Sequence, residues 1–331
     1  MAYIINKIQC KFWHKLVQYS KDTKLYIYIY CSYWHYLLYK QQGRINNTCY
    51  YTAIPNPGAG VGHQLANWIA GYWFAKQFGL KFAHIPFSTL KWEDFLGFGE
   101  DEVTVKALMK QQGYKKVMLP LFNESNTDEV IRIKKIIDSY SNKKVIFIAE
   151  QDQFYRDQYG VMEDIKRKFY QAKARCNDKL IYSSDSFNIA IHIRRGDIVI
   201  GQANKNSNLQ MRWQNNDYFE NVLSNVLQNI SGVKPTAIYI FSQGKRENFT
   251  EFEQFANVHY CLDMNPQDSF LHMVYADLLI TSKSSFSYKP ALLNNGIKIC
   301  PRNFWHGYPT TNDWILAEEN GSFATTQLNI V

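Results

Sequence analysis

The stretch Ile189-Ala190-Ile191-His192-Ile193-Arg194-Arg195-Gly196-Asp197 gathers an imidazole, two guanidiniums and a carboxylate at the end of an apolar run. Apolar and polar residues alternate as in a strand, and Gly196 makes the turn. Arg carries a permanent charge on a planar fork that matches phosphate oxygens, and a strand end mounts it rigidly. The chemistry open to such a set is to hold a diphosphate. Alternation puts His192 and Arg194 on one face, so that Arg194 meets a phosphate beside the imidazole. Arg195 turns the other way and either pairs with Asp197 or shapes the turn. A surface salt-bridge cluster is the competing reading, but Arg directly after a buried parallel strand lies at the edge where ligands bind. Arg195-Gly196-Asp197 also spells a cell-adhesion motif, which a core strand would present poorly to a receptor.

Two further sets can face the first. The loop Gly58-Ala59-Gly60-Val61-Gly62 precedes a helix and can offer backbone N–H groups to an anion, with His63 and Gln64 at the helix start. It is not a Walker loop, because no Gly-Lys-Ser/Thr follows. His63 reads equally as a surface or capping residue. The third set is Thr281-Ser282-Lys283-Ser284-Ser285-Phe286-Ser287, where a strand runs into a Ser-rich turn and a helix. Hydroxyls and unpaired N–H groups there make a second anion site, although helix capping also accounts for the serines. Asp263, after the strand 258–262, places a carboxylate at the same edge, suited to the N1–H and amino donors of guanine, or else caps the next helix. No Asp-x-Asp pair occurs, so a metal on the diphosphate is not expected; Arg and a helix dipole replace it.

The elements that must position these residues alternate. A helix over 63–78 leads to a strand over 80–85, with further strands at 115–121 and 143–149 and a helix at 128–140. The second half reads the strand that starts at Ile189, helix 217–230, strand 237–242, helix 246–255, strand 258–262, helix 267–276, strand 277–281, a helix after Ser285, and strand 297–300. Strands and helices joined by short links require parallel sheets covered on both faces. The fold class is therefore α/β, read as two Rossmann-like α/β/α domains facing across a cleft. The segment 1–50 is basic and aromatic, 51–180 forms the acceptor-side domain, and 181–331 forms the donor-binding domain.

The 331 residues suffice for two cores, and 46% hydrophobic with 20% charged residues excludes a disordered majority. A net charge of +8 favours an anionic partner, with nucleotide, nucleic acid and anionic lipid all compatible. The six cysteines form no CxxC or Cys/His metal spacing, and Cys261 and Cys300 read as buried apolar side chains in a reducing compartment. Lys7, Lys11, Lys15, Lys21 and Lys24 precede a Tyr-rich apolar segment over 25–39 that is too short to span a bilayer. It fits peripheral docking on an anionic membrane or packing on the first domain. A cytoplasmic location follows, with the Golgi lumen as the alternative.

The three sets, in this order and spacing, resemble the α1,2/α1,6/protein O-fucosyltransferase superfamily, and within it the α1,2-fucosyltransferase-like members, glycosyltransferase family 11. The signature His-x-Arg-Arg-Gly-Asp stands as His192 to Asp197, and Gly-x-Gly-Asn-Gln looks like Gly60-Val61-Gly62-His63-Gln64. The late Ser-Ser-Phe-Ser is Ser284 to Ser287. The resemblance covers roughly Asn56 to Pro309. It implies a GT-B fold and inverting transfer of fucose from a GDP-fucose donor to a glycan acceptor, without metal or cofactor and without nucleic acid. Arg194 would then grip the β-phosphate, His192 and Asp263 would contact guanine, and Ser284, Ser285 and Phe286 would close around the diphosphate. Departures are His63 for the family Asn, Gly60 where protein O-fucosyltransferases carry Arg, and Gln202 where the α1,6 type carries Glu. His63 is the first candidate to accept the acceptor's proton, ahead of Asp197 and His306. A transferase of another GDP-sugar and a non-catalytic binder of anionic glycans are the remaining readings.

Overall fold

The computed structural model describes residues 48–328 except 57, 121, 139, 141–142, 150–159, 200–206 and 231–233, together with scattered positions between 8 and 29. The chain divides into two units. The first comprises Met1–Ala59, Gln64–Glu93 and Phe98–Tyr155; the second comprises Gly60–His63, Asp94–Gly97 and Arg156–Val331.

The first unit holds a parallel sheet in the order β2-β1-β4-β3, from β1 (Tyr50–Ala53), β2 (Lys81–Phe82), β3 (Lys115–Met118) and β4 (Val145–Ala149). The central strand β4 is a continuous apolar run with Ile146 and Phe147 fully buried, as a parallel strand covered on both faces must be. Helix α1 (Val61–Gln77) lies close against β1, because a Cβ on Gly71 would stand 2.7 Å from the Ala53 Cβ. Helices α2 (Leu90–Leu96), α3 (Val105–Gln112) and α4 (Thr127–Asp138) follow. Thr104 caps α3 by accepting from the Ala107 N–H, and Gly113 ends it at φ 74°.

The second unit holds a parallel sheet in the order β10-β9-β8-β5-β6-β7. Its strands are β5 (Phe187–His192), β6 (Thr236–Ser242), β7 (Val258–Leu262), β8 (Leu278–Ile280), β9 (Ile297–Pro301) and β10 (Trp314–Ala317). The chain lays β5, β6 and β7 outward in one direction, then returns to set β8 on the other side of β5. The sheet thus reverses direction between β5 and β8, where a crevice opens beyond the carboxyl ends of the strands. Every residue of β5 is buried. Phe187, Ile189 and Ile191 join the core beneath helix α6 (Asn216–Asn229) and the 3-10 segment Arg246–Gln254. The alternate residues Asn188, Ala190 and His192 face the side that carries helices α7 (Pro266–Tyr275) and α8 (Ser285–Leu293).

Both units have the parallel α/β form that the alternation of elements demanded. Differences are local. The strand anticipated over 80–85 pairs only at Lys81–Phe82, with an isolated bridge between His84 and Thr104. The helix anticipated over 246–255 is 3-10 and kinks at Phe249, where φ is −137°. The longest run of the second unit starts at Arg156 and so takes in helix α5 (Met162–Gln171), which buries Ile165 and Phe169. The Phe169 ring lies 6.3 Å from that of Phe270 on α7, and the Tyr170 hydroxyl donates to the Leu293 carbonyl at 3.0 Å. Apart from Leu25 and Ile29, the segment 25–39 lies outside the described residues. Among the described residues, no helix is long and apolar enough to cross a membrane.

Candidate functional site

A cavity of about 350 Å³ opens in the second unit at the carboxyl ends of β5, β6 and β8, the reversal point of the sheet. Its lining contains Gly60, Gly62, His63, His192, Arg194, Arg195, Asp197, Ser284, Ser285 and Phe286, and so brings together nearly all the residues singled out in the sequence.

Strand alternation continues past the end of β5 and sorts the charged side chains. His192, on the α7/α8 side, shares a 2.8 Å hydrogen bond between its Nδ1 and the Ser282 Oγ, which ties the end of β5 to the turn after β8. Its ring packs on Phe286 at 5.5 Å. Burial, reinforced by Arg194 and Arg195, lowers its pKa to about 3, so the imidazole is neutral and acts as a hydrogen-bonding group rather than a cation. Arg194 follows on the same side. Its Nη2 and Nε donate to the two carboxylate oxygens of Asp197 at 2.8 and 3.4 Å, and its Nη1 points to the Ser284 Oγ at 3.4 Å. Asp197 is 57% exposed, so this fork adds little to stability and mainly fixes the direction of the guanidinium.

Arg195 points to the other side. It is buried, stacks 4.2 Å above the Trp213 ring and donates to the Arg194 carbonyl and the Asn216 Oδ1. Of the two roles open to it in the sequence, it shapes the turn, while Arg194 takes Asp197. Gly196, at φ 61°, completes the turn; a Cβ there would run into the Gln243 amide.

Two helix amino termini meet at the cavity. The first turn of α1, Val61 to His63, belongs to the second unit, and Gly62 approaches the start of α8 so closely that a Cβ would stand 2.8 Å from the Ser285 carbonyl carbon and oxygen. Ser284 caps α8, its Oγ accepting from the Phe286 N–H at 3.2 Å. Ser287 is fully buried and bonded within the turn, donating to the Ser282 and Ser284 carbonyls, so this serine serves the architecture. The first N–H groups of both helices have no partner inside their own helix, and each start carries positive potential. Two helix starts and the Nη1 arm of Arg194 therefore turn donors and positive potential toward one cavity.

Two sequence candidates stand outside the lining. Asp263 is exposed at the end of β7, in the left-handed region at φ 56°, and does not line the cavity; its neighbour Met264 does. His306 is buried in a ring stack, 3.5 Å from Tyr288, outside the lining. Gln202 lies outside the described residues. The cavity also holds residues that the sequence did not flag, chiefly Arg212 and Trp305. Trp305 follows β9 at the same sheet edge, and its 46% exposure is unusual for so large an apolar ring. That position after a strand was the available signal. Arg212, alone in a polar loop, gave none.

No protein-family model and no curated protein sequence matches the chain. Among solved structures it is similar to POFUT1 in complex with GDP, at 12% identity and a TM-score of 0.40, covering 77% of this chain and 98% of that chain. It is similar also to E. coli heptosyltransferase WaaC with ADP, at 12% identity and a TM-score of 0.37, covering 85% and 96% respectively. A point mutant of Arabidopsis thaliana FUT1 in complex with GDP aligns at 11% identity and a TM-score of 0.40, covering 89% of this chain and 79% of that chain. Likenesses this distant carry no argument about chemistry, which rests on the residues of the site.

Proposed function

We propose that the protein is a glycosyltransferase that moves fucose from GDP-fucose to a hydroxyl of a glycan acceptor, with inversion and without a metal. The observation that carries this reading is the meeting of Arg194 with the starts of α1 and α8 in one cavity at the reversal point of the sheet. That arrangement suits the diphosphate of a nucleotide sugar. The choice of fucose, and of an α1,2 linkage, rests on the resemblance of His192 to Asp197, Gly60 to Gln64 and Ser284 to Ser287 to the fucosyltransferase motifs.

In the proposed step the acceptor oxygen attacks the anomeric carbon from the face opposite the diphosphate. The bond from that carbon to the β-phosphate oxygen breaks, and GDP leaves with the electron pair. Arg194 and the two helix starts stabilise the charge gathering on the departing oxygen, the work a metal does in other transferases. His63, half-buried in the cavity lining, receives the acceptor proton.

Nucleotide release by the purified protein should be measured over GDP-fucose, GDP-mannose and UDP-sugars, with EDTA present. Release from GDP-fucose is expected, falling at least about a hundredfold in Arg194→Ala. His63→Ala should lose turnover while keeping its affinity for GDP. Release from another GDP-sugar would replace the substrate and keep the reaction class. No release from any donor, together with no GDP binding, would sink the reading.

A further inference from the structure

We propose that Arg212 is a second diphosphate-binding residue, which pairs with Arg194 across the cavity so that the site selects two linked phosphates over one. This rests on the nucleotide-sugar reading of the cavity. Arg212 lines the cavity together with Arg194, and Asp197 is the carboxylate in that lining. Asp197 already engages two nitrogens of Arg194, which leaves the Nη1 arm of Arg194, beside Ser284, for a ligand. One arm and two helix starts can seat one phosphate. A second phosphate needs a second cation, and Arg212 provides it.

Arg212 is held in place from both sides. Its own N–H donates to the Leu209 carbonyl at 3.1 Å, and the Trp213 ring lies against the Arg195 guanidinium. Next along, the Gln214 Oε1 accepts from the Lys283 N–H at 2.7 Å, which fastens the loop to the turn before α8. The Arg212 side chain therefore issues from a segment clamped between the turn after β5 and the turn after β8. Among the described residues no carboxylate lies within ion-pair distance of it. Burial and the neighbouring charge of Arg194 both push its pKa below the ordinary value, with Asp197 opposing. Two like charges turned to one half-buried space repel until an anion comes between them, and a diphosphate reaches both.

Binding of GDP and GMP to the full chain should be titrated calorimetrically for the parent protein, Arg212→Met, Arg212→Lys and Arg302→Ala, a surface control. Arg212→Met should weaken GDP by roughly tenfold or more and GMP by less than about threefold, so the preference for diphosphate collapses. Arg212→Lys, which keeps the charge without the fork, should fall between, and it decides the matter if the Met variant melts at a lower temperature. Arg302→Ala should change neither ligand. An unchanged ratio of GDP to GMP affinity in both Arg212 variants would overturn the inference and leave the transferase reading standing. Failure of the parent protein to bind GDP would overturn both.

Discussion

At the residue scale the site depends on side chains kept in one protonation state. His192 titrates near 6.5 when unfolded and at about 3 when folded, with burial the first cause. The folded state therefore binds this proton less readily than the unfolded chain. Its contribution to stability is complete above about pH 6.5 and is lost as the pH falls from there toward 3. For this group alone the loss reaches about 1.4 kcal/mol by about pH 5.5. Chemical denaturation across that range should show stability dropping, with a shallower slope in His192→Gln; equal slopes would contradict the assignment. His192 and Arg194 were legible in the sequence because strand alternation continues for two residues past the last pairing. The partner of Asp197 was not, since both neighbouring arginines lie within reach of it and only the direction of each backbone bond decides. Asp263 stands outside the cavity lining for a related reason: at the end of β7 the chain enters the left-handed region, and Met264 rather than Asp263 lines the cavity.

At the scale of elements, the site exists because the starts of α1 and α8 touch. Gly62 permits this contact and Gly60 does not take part in it: a Cβ on Gly62 would press on the Ser285 backbone at 2.8 Å, whereas one on Gly60 meets nothing within 4 Å. Gly62→Ala should destabilise by about 1–3 kcal/mol through overpacking and weaken GDP binding, because the two helix starts separate. Gly60→Ala should leave melting temperature and affinity nearly unchanged. Equal effects from the two substitutions would show that the helix contact does not build the site. The strands around the site were readable because continuous Val/Ile/Leu/Phe runs bounded by polar turns have few other uses. Helix α5, Met-Glu-Asp-Ile-Lys-Arg-Lys-Phe-Tyr-Gln, buries Ile165 and Phe169, and with Met162 these keep the i, i+3, i+7 spacing of an amphipathic helix, so its signal was present in the sequence. The 3-10 segment 246–254 keeps a helix-like spacing of Phe249 and Phe252, both fully buried, across its kink at Phe249.

At the scale of the whole molecule, alternation of strand and helix dictates parallel sheets but not the order of strands within them. The order β10-β9-β8-β5-β6-β7, and hence the reversal between β5 and β8, becomes visible only when the strands are assembled. That reversal explains why residues from Gly60 to Ser285, far apart in sequence, share one cavity. The division near residue 155 was likewise hidden, because α5 precedes its sheet in sequence and joins it through contacts with α7 and α8. Excess positive charge, +8 overall, is consistent with an anionic ligand but does not by itself say which residues hold it. The central claim is that a nucleotide diphosphate occupies this reversal point, and the most direct test is a crystal structure of the protein soaked with GDP. The expected result places the diphosphate in the cavity of Arg194 and Arg212, with one phosphate held by Arg194 and accepting from N–H groups at the starts of α1 and α8. Phosphates seated beyond hydrogen-bonding reach of Arg194, or GDP bound elsewhere on the chain, would contradict it.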